Sequence, residues 1–253
     1  MANDTAIEWT DATWNPVTGC TKVGPGCAHC YAERFAERWR GIPNHPFEQG
    51  FDMKLWPNRL SHPMQWKRPR MIFVNSMSDL FHRDVPTSYI DEIFSVMESA
   101  GHHVYQTLTK RSGRMLRYLS GRYGNRPVPH HIWIGVSVED AKRSKRIEHL
   151  RSINSPARFI SFEPLLGSVG NISLEGIAWA IVGGESGPRA RPMKAAWAAE
   201  IRDIAKENHC AFFFKQWGGA RPKSGGRLLD GLEWNGFPVH LVPGEIRERL
   251  HIA

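Results

Sequence analysis

Short apolar runs alternate with amphipathic stretches along most of this 253-residue chain. "MIFVNSMSDLF" (71–81) is an apolar run that closes in polar residues. "TSYIDEIFSVMESAG" (87–101) then carries Ile90, Ile93, Phe94 and Met97 at helical spacing, with Gly101 as the stop. The alternation continues as strand 103–111, helix 112–124, strand 131–140, helix 140–153, strands 157–165 and 176–186, helix 193–209 and strand 210–219. The strands are apolar on both alternating sets of positions, as parallel strands buried on two faces are. The pattern predicts an α/β fold whose parallel strands are joined by crossover helices. One crossover is missing: "LGSVGNISLEG" breaks at glycines and reads as a loop between two strands.

Two segments interrupt the rhythm. Residues 41–70 contain five prolines and read as an ordered excursion or lid. Residues 218–227, "GGARPKSGGR", read as a mobile segment, and "LLDGLEWNGFP" as a small hairpin around Asp230-Gly231. The expected division is therefore 1–217 for the main body and 218–253 for a C-terminal mobile segment and hairpin.

Each predicted strand ends in polar residues or glycine: Asn75-Ser76-Met77-Ser78-Asp79, Thr109-Lys110-Arg111, Ser137-Val138-Glu139-Asp140, Ser161-Phe162-Glu163-Pro164, Gly183-Gly184-Glu185-Ser186 and Lys215-Gln216-Trp217. Ligands of parallel-sheet folds sit at the C-terminal ends of strands. Six such tips describe one pocket. Within it Lys110, Glu163 and Lys215 are the candidate catalytic groups.

Composition narrows the class. A hydrophobic content of 41% indicates a globular chain with a core large enough to dispense with disulfides. The polar start "MANDTAIEWTDATW" has neither the basic nor the apolar region of a signal peptide, and no run is long enough to span a bilayer, so a cytoplasmic protein without membrane contact is expected. The formal net charge of +8 favours a polyanionic partner, DNA or RNA first. Arg111, Arg114, Arg189 and Arg191 follow strand tips and are expected to rim the pocket. The basic run at 140–153 reads as a solvated outer face.

Three of the four cysteines, Cys20, Cys27 and Cys30, fall in one Gly/Pro loop with spacing C-x6-C-x2-C. In a reducing compartment such a cluster binds metal more often than it forms disulfides. Thiolates select zinc or iron–sulfur clusters. Zinc would need His29 as a fourth ligand. A four-iron cluster would take the three thiolates on three irons and leave the fourth open. Cys210 begins the last strand, away from the pocket, and reads as a core thiol.

Three cysteines in a loop after the first strand, the last pair as Cys27-Ala28-His29-Cys30-Tyr31, resemble the cluster motif of the radical S-adenosylmethionine superfamily. The longer first gap and the tip motifs resemble a phage-associated branch with a three-cysteine motif. The resemblance covers roughly residues 7–217. It implies a partial (β/α)6–7 barrel, a [4Fe–4S] cluster on Cys20, Cys27 and Cys30, and S-adenosylmethionine as cosubstrate. It also implies a one-electron donor such as flavodoxin or ferredoxin, and a monomer. Cosubstrate contacts are then expected from His29, Tyr31, Asn75, Ser76, Asp79, Ser137, Glu139, Gly183, Gly184 and Glu185. Asp79 takes the role of charge partner for the amino group. The superfamily's Gly-Gly-Glu motif usually ends the second strand, whereas Gly183-Gly184-Glu185 ends a much later one. The implied chemistry is a 5′-deoxyadenosyl radical that takes a hydrogen atom from substrate, and the basic charge and tip arginines favour a nucleic-acid base or lesion, by modification or repair, as that substrate. A peptide or small-molecule substrate, or a zinc-stabilised nucleic-acid-binding module without catalysis, are the rival readings.

Overall fold

The computed structural model of the chain describes residues 5, 7–221 and 223–252. In chain order its regular elements are β1 (Ala12–Trp14), β2 (Val17–Thr18), α1 (Tyr31–Glu37), β3 (Lys54–Leu55), α2 (His62–Gln65), β4 (Met71–Val74), α3 (Thr87–Ser99), β5 (Val104–Thr109) and α4 (Ser112–Tyr123). There follow β6 (Ile132–Ser137), α5 (Lys145–Arg151), β7 (Arg158–Phe162), β8 (Trp179–Gly183), α6 (Ala195–Glu207), β9 (Ala211–Gln216) and α7 (Gly244–Leu250).

Seven strands form one sheet in the order β1-β4-β5-β6-β7-β8-β9. Every neighbouring pair is parallel. The order never reverses, so same-handed crossovers place the helices on one side and the sheet curls into a half-barrel around the other. The expected partial barrel of parallel strands is therefore the fold observed. The β7–β8 connection carries no helix, as its glycines foretold; Val169, Leu174 and Ile177 from that loop fill the missing place in the core.

Alternation along the strands sorts the side chains into two cores. One set, including Ile72, Val74, Ile134, Ile160, Val182 and Phe214, packs under α3, α4, α5 and α6. The other set lines the concave face: Met71, Phe73, Val104, Trp133, Phe159, Trp179, Ile181 and Phe213. Trp9, Val242 and Ile246 of α7 join this inner core. Its register rows climb from aromatic to polar. Phe159 pairs with Trp179, and Ser137 with Ser161 one step higher. Continuing the alternation, Glu139 and Glu163 follow on the same face. The apolar half of the interior thus fixes the barrel, and the polar half stands over it as a floor for the site.

The excursion at 41–70 is ordered. β3 pairs antiparallel with β2, Trp56 N donates to Pro16 O at 2.8 Å, and Trp14 Nε1 donates to Arg59 O at 2.8 Å. At the other end of the chain, Leu229 and Leu232 bridge across Asp230 and Gly231, both at positive φ, which gives the expected hairpin turn. The segment 218–227 is hydrogen-bonded to its surroundings: Gly219 N donates to Glu185 O at 2.9 Å, and Lys223 N to Gln216 Oε1 at 2.8 Å. Two features differ from the sequence reading. The 140–153 stretch is a 3-10 turn at Ala141–Arg143 followed by α5, not one helix, and α7 lies in a region where no helix was expected. Among the described residues, no helix is long and apolar enough to cross a membrane.

Candidate functional site

The cysteine loop is pinned at both ends. Gly19 N donates to Met77 O at 3.0 Å and Cys20 N to Phe51 O at 3.2 Å, so Cys20 is held between the β4 tip and the excursion. Cys27 closes a 3-10 turn at Pro25–Cys27, and Cys30 caps α1. The long first gap is thus the distance between two separate anchors. All three thiols are free and partly buried. Burial pushes Cys20 up to about 12; the nearby Asp79 charge adds to this, Arg111 opposes it, and Cys27 and Cys30 add further. Burial also raises Cys30, against the backbone amides of Glu33 and Ala32. The sulfurs therefore feel one another, and a metal that takes them as thiolates must displace their protons. Among the described residues, no three His, Cys, Asp or Glu side chains are gathered to hold a single metal ion. Three free thiols in one loop are the donors that thiolate-selecting groups take, so the residues present fit an iron–sulfur cluster.

The strand tips meet this loop from below. Lys110 lies near enough to Cys30 for its charge to work against the burial that raises that thiol, while burial raises Tyr31 and the nearby Cys30 and Glu163 add to it. Lys215 Nζ pairs with Glu163 Oε1 at 3.0 Å, and Ser161 Oγ donates to Glu163 Oε2 at 3.1 Å. Lys110 Nζ reaches Glu163 O at 3.5 Å and Glu139 Oε1 at 3.7 Å. The three groups expected to be catalytic are brought together, each with partial solvent access.

Glu139 is 1% exposed and carries the loop. Arg146 Nη1 donates to Glu139 Oε2 at 2.8 Å and to Ser137 O at 2.7 Å. This corrects the reading of 140–153 as a solvated face: Arg146 turns inward, and Arg143, at 3.7 Å from where a Gly24 Cβ would stand, joins it beneath the loop. A charge run in sequence does not reveal which of its members faces a buried carboxylate.

A second clamp holds the loop from the β8 side. Arg191 binds Glu185 through Nε at 2.9 Å, Nη2 at 2.6 Å and its backbone N at 3.0 Å, and Nη2 also donates to Pro25 O at 2.8 Å. His29 Nδ1 sits 2.9 Å from Glu185 Oε2. Burial alone would raise Glu185, but the Arg191 and His29 hydrogen bonds hold it down at about 2. Glu185 and His29 thus engage each other. Gly183 and Gly184 are accounted for within the chain: a Gly183 Cβ would lie 3.1 Å from Glu163 Cδ, and a Gly184 Cβ 2.6 Å from the Trp217 carbonyl carbon.

At the β4 tip, Asp79 is 7% exposed with both oxygens occupied. Oδ1 accepts from Thr109 Oγ1 at 2.7 Å and Phe81 N at 2.9 Å, while Oδ2 accepts from Lys110 N at 3.2 Å and lies 3.6 Å from Arg111 Nη1. Tyr31 OH donates to Ser76 O at 2.5 Å, and Ser76 Oγ to Asn15 Oδ1 at 3.2 Å. Asn75 is buried at positive φ, and its Nδ2 has no hydrogen-bond partner; Glu139 Oε1 likewise has none. A buried donor left without a hydrogen bond at the β4 tip is costly unless a ligand completes it, whereas Glu139 Oε1, two strands away, keeps the Lys110 ion pair at 3.7 Å.

Of the four arginines expected to rim the pocket, three are engaged inside it. Arg111 faces Cys20 and Thr21, Arg114 donates to His82 O and Val85 O, and Arg191 holds Glu185; Arg189 is exposed. Cys210 lies 6% exposed in the helix-side core at the start of β9, as the sequence indicated.

Residues 4–238 match the family described as "Protein of unknown function (DUF5131)". The chain belongs to this family. No curated protein matches it. Among solved structures, it is similar to spore photoproduct lyase complexed with dinucleoside spore photoproduct, at a TM-score of 0.47 and 9% identity over 78% of this chain. A mutant of that lyase with the same ligand matches at 0.45 and 10% identity. This DUF5131 chain covers 61% of the length of those chains.

Proposed function

We propose that this DUF5131 protein is a radical S-adenosylmethionine enzyme, with Cys20, Cys27 and Cys30 holding a [4Fe–4S] cluster. The observation that carries the reading is the seating of three free, mutually interacting thiols above the strand tips where Lys110, Glu139, Glu163 and Lys215 converge. When bound, such a cluster with S-adenosylmethionine supplies reductive cleavage of the sulfonium and a 5′-deoxyadenosyl radical. The chain's own residues bind and orient. Asn75 Nδ2 is the open donor for the cosubstrate's polar groups, with Ser76 beside it and Glu139 held nearby by Lys110 and Arg146. The Glu185–Arg191 clamp holds the loop against the sheet. Lys110, Glu163 and Lys215 face the substrate and fix its orientation. The aromatic inner core closes the site from below and excludes water.

The substrate in this reading is a nucleic-acid base or lesion, reached in a single strand or flipped out. The net charge of +8 supports it, with Arg189 exposed beside the site. The inward engagement of Arg111, Arg114 and Arg191 leaves less free charge at the mouth than the sequence suggested, which favours a peptide or small molecule as the second reading. Anaerobic incubation with dithionite and S-adenosylmethionine tests both steps. Formation of 5′-deoxyadenosine supports the chemistry, and acceleration by single-stranded DNA or RNA, weakening with salt, supports the substrate. Absence of 5′-deoxyadenosine from an iron-loaded protein contradicts the first; turnover indifferent to every nucleic acid selects the second reading.

A further inference from the structure

Arg111 is the one guanidinium directed at a cysteine of the loop by a hydrogen bond among the described residues. Its Nη1 lies 3.8 Å from Cys20 Sγ, and its side chain is 12% exposed. The geometry is fixed from three sides. Nη2 donates to Thr21 O and to Thr21 Oγ1, each at 3.0 Å. Nη1 is 3.6 Å from Asp79 Oδ2. Thr21 Oγ1 is itself 2.8 Å from Nε2 of the fully buried His82. A planar fork held in this way keeps its donor aimed at one sulfur. An ion-pair role alone would require only Asp79, and that carboxylate is already supplied by Thr109 Oγ1 and two backbone amides.

We propose that Arg111 sets the reduction potential of the cluster by hydrogen bonding to the Cys20 sulfur. The inference rests on the cluster reading above. Hydrogen bonds and positive charge at a ligating sulfur withdraw electron density and stabilise the more negative, reduced cluster. The step concerned is the gain of one electron from a one-electron reductant, dithionite in the test, with no bond made or broken. Among the described residues, Cys27 and Cys30 receive no comparable side-chain donor, so the effect is confined to one corner of the site. Arg111 is a positioning and tuning residue, not one that touches substrate.

The experiment uses the full chain, reconstituted anaerobically as wild type, Arg111→Gln and Arg111→Lys. Iron and sulfide are counted first, then the midpoint potential is read by paramagnetic resonance during redox titration. The expected result is full iron in Arg111→Gln and a roughly tenfold less favourable reduction equilibrium, about 59 mV more negative for one electron. Arg111→Lys keeps the charge but not the aimed fork, and should fall between. Equal potentials in wild type and Arg111→Gln would overturn the proposal. If Arg111→Gln takes up no iron, Arg111→Lys decides: a potential below wild type supports the proposal, and a wild-type potential overturns it. Loss of iron from both variants would make Arg111 a residue of cluster binding and also overturn it. A wild-type protein without iron defeats the cluster reading itself, a failure visible in the metal count before any potential is measured.

Discussion

Gly26 lies directly against the Glu139 carboxylate: a Cβ at position 26 would stand 2.5 Å from Glu139 Cγ. Glu139 has no room to retreat, being 1% exposed and paired with Arg146 and Lys110. Gly26→Ala is therefore expected to lift the loop next to Cys27 while leaving the distant barrel core intact. Iron retained after reconstitution should fall severalfold, with a change in Tm of only a few degrees. Full iron retention would show that the loop tolerates the displacement.

The Arg191–Glu185 clamp joins the β8 tip to the carbonyl of Pro25. Removing Arg191 leaves Glu185, 4% exposed, with His29 as its remaining side-chain partner among the described residues. Arg191→Ala should cost roughly 2–3 kcal/mol, below the fully buried range because Arg191 is about a third exposed. Urea denaturation measures it; a change under about 0.5 kcal/mol would mark the pair as incidental.

Much of the barrel could be read from the sequence because its strands are buried on both faces and its helices carry one apolar stripe. Ile90, Ile93, Phe94 and Met97 predicted α3 and are all buried in it. The strand tips were legible as a set because six apolar runs each close in polar residues or glycine, although such residues also simply end strands. Partner choice was not. Whether Asp79 meets a ligand or Thr109, and whether Arg146 faces water or Glu139, depends on the curl of the sheet and on which neighbour arrives first, which no local pattern encodes. The short β2–β3 pair joins Val17 to Leu55, 38 residues away, and α7 is recruited by the inner core through Ile246.

His103 is fully buried, accepting from Arg70 N at 3.1 Å and facing Pro63 O at 2.9 Å through Nε2, so it anchors the excursion as a neutral ring. Burial lowers its pKa from 6.5 to about 4. A base lowered in the folded state binds protons more readily when unfolded. Its stabilisation is full above about pH 6.5 and is lost as pH falls toward 4. Between pH 7 and pH 5 this amounts to about 2 kcal/mol. Urea midpoints of wild type and His103→Gln at both pH values check it: the acid loss should shrink by that amount in the variant, with His82 and His131, also lowered by burial, supplying part of the remainder. An identical acid loss in both proteins would exclude His103 as a source.

Cys210 immediately precedes β9 in the helix-side core, at the opposite end of the strand from Lys215. Cys210→Ala should lose about 1 kcal/mol of stability and no iron. Loss of iron in this variant alone would place a fourth thiol at the site.

The function turns on what the three loop thiols hold. Wild type and the Cys20→Ala/Cys27→Ala/Cys30→Ala variant, both purified and reconstituted anaerobically, are compared for iron, sulfide and zinc content. The prediction is about four irons and four sulfides per wild-type chain, with a brown colour, and none in a variant that remains folded. One equivalent of zinc without iron in the wild type, or equal iron in both proteins, would contradict it.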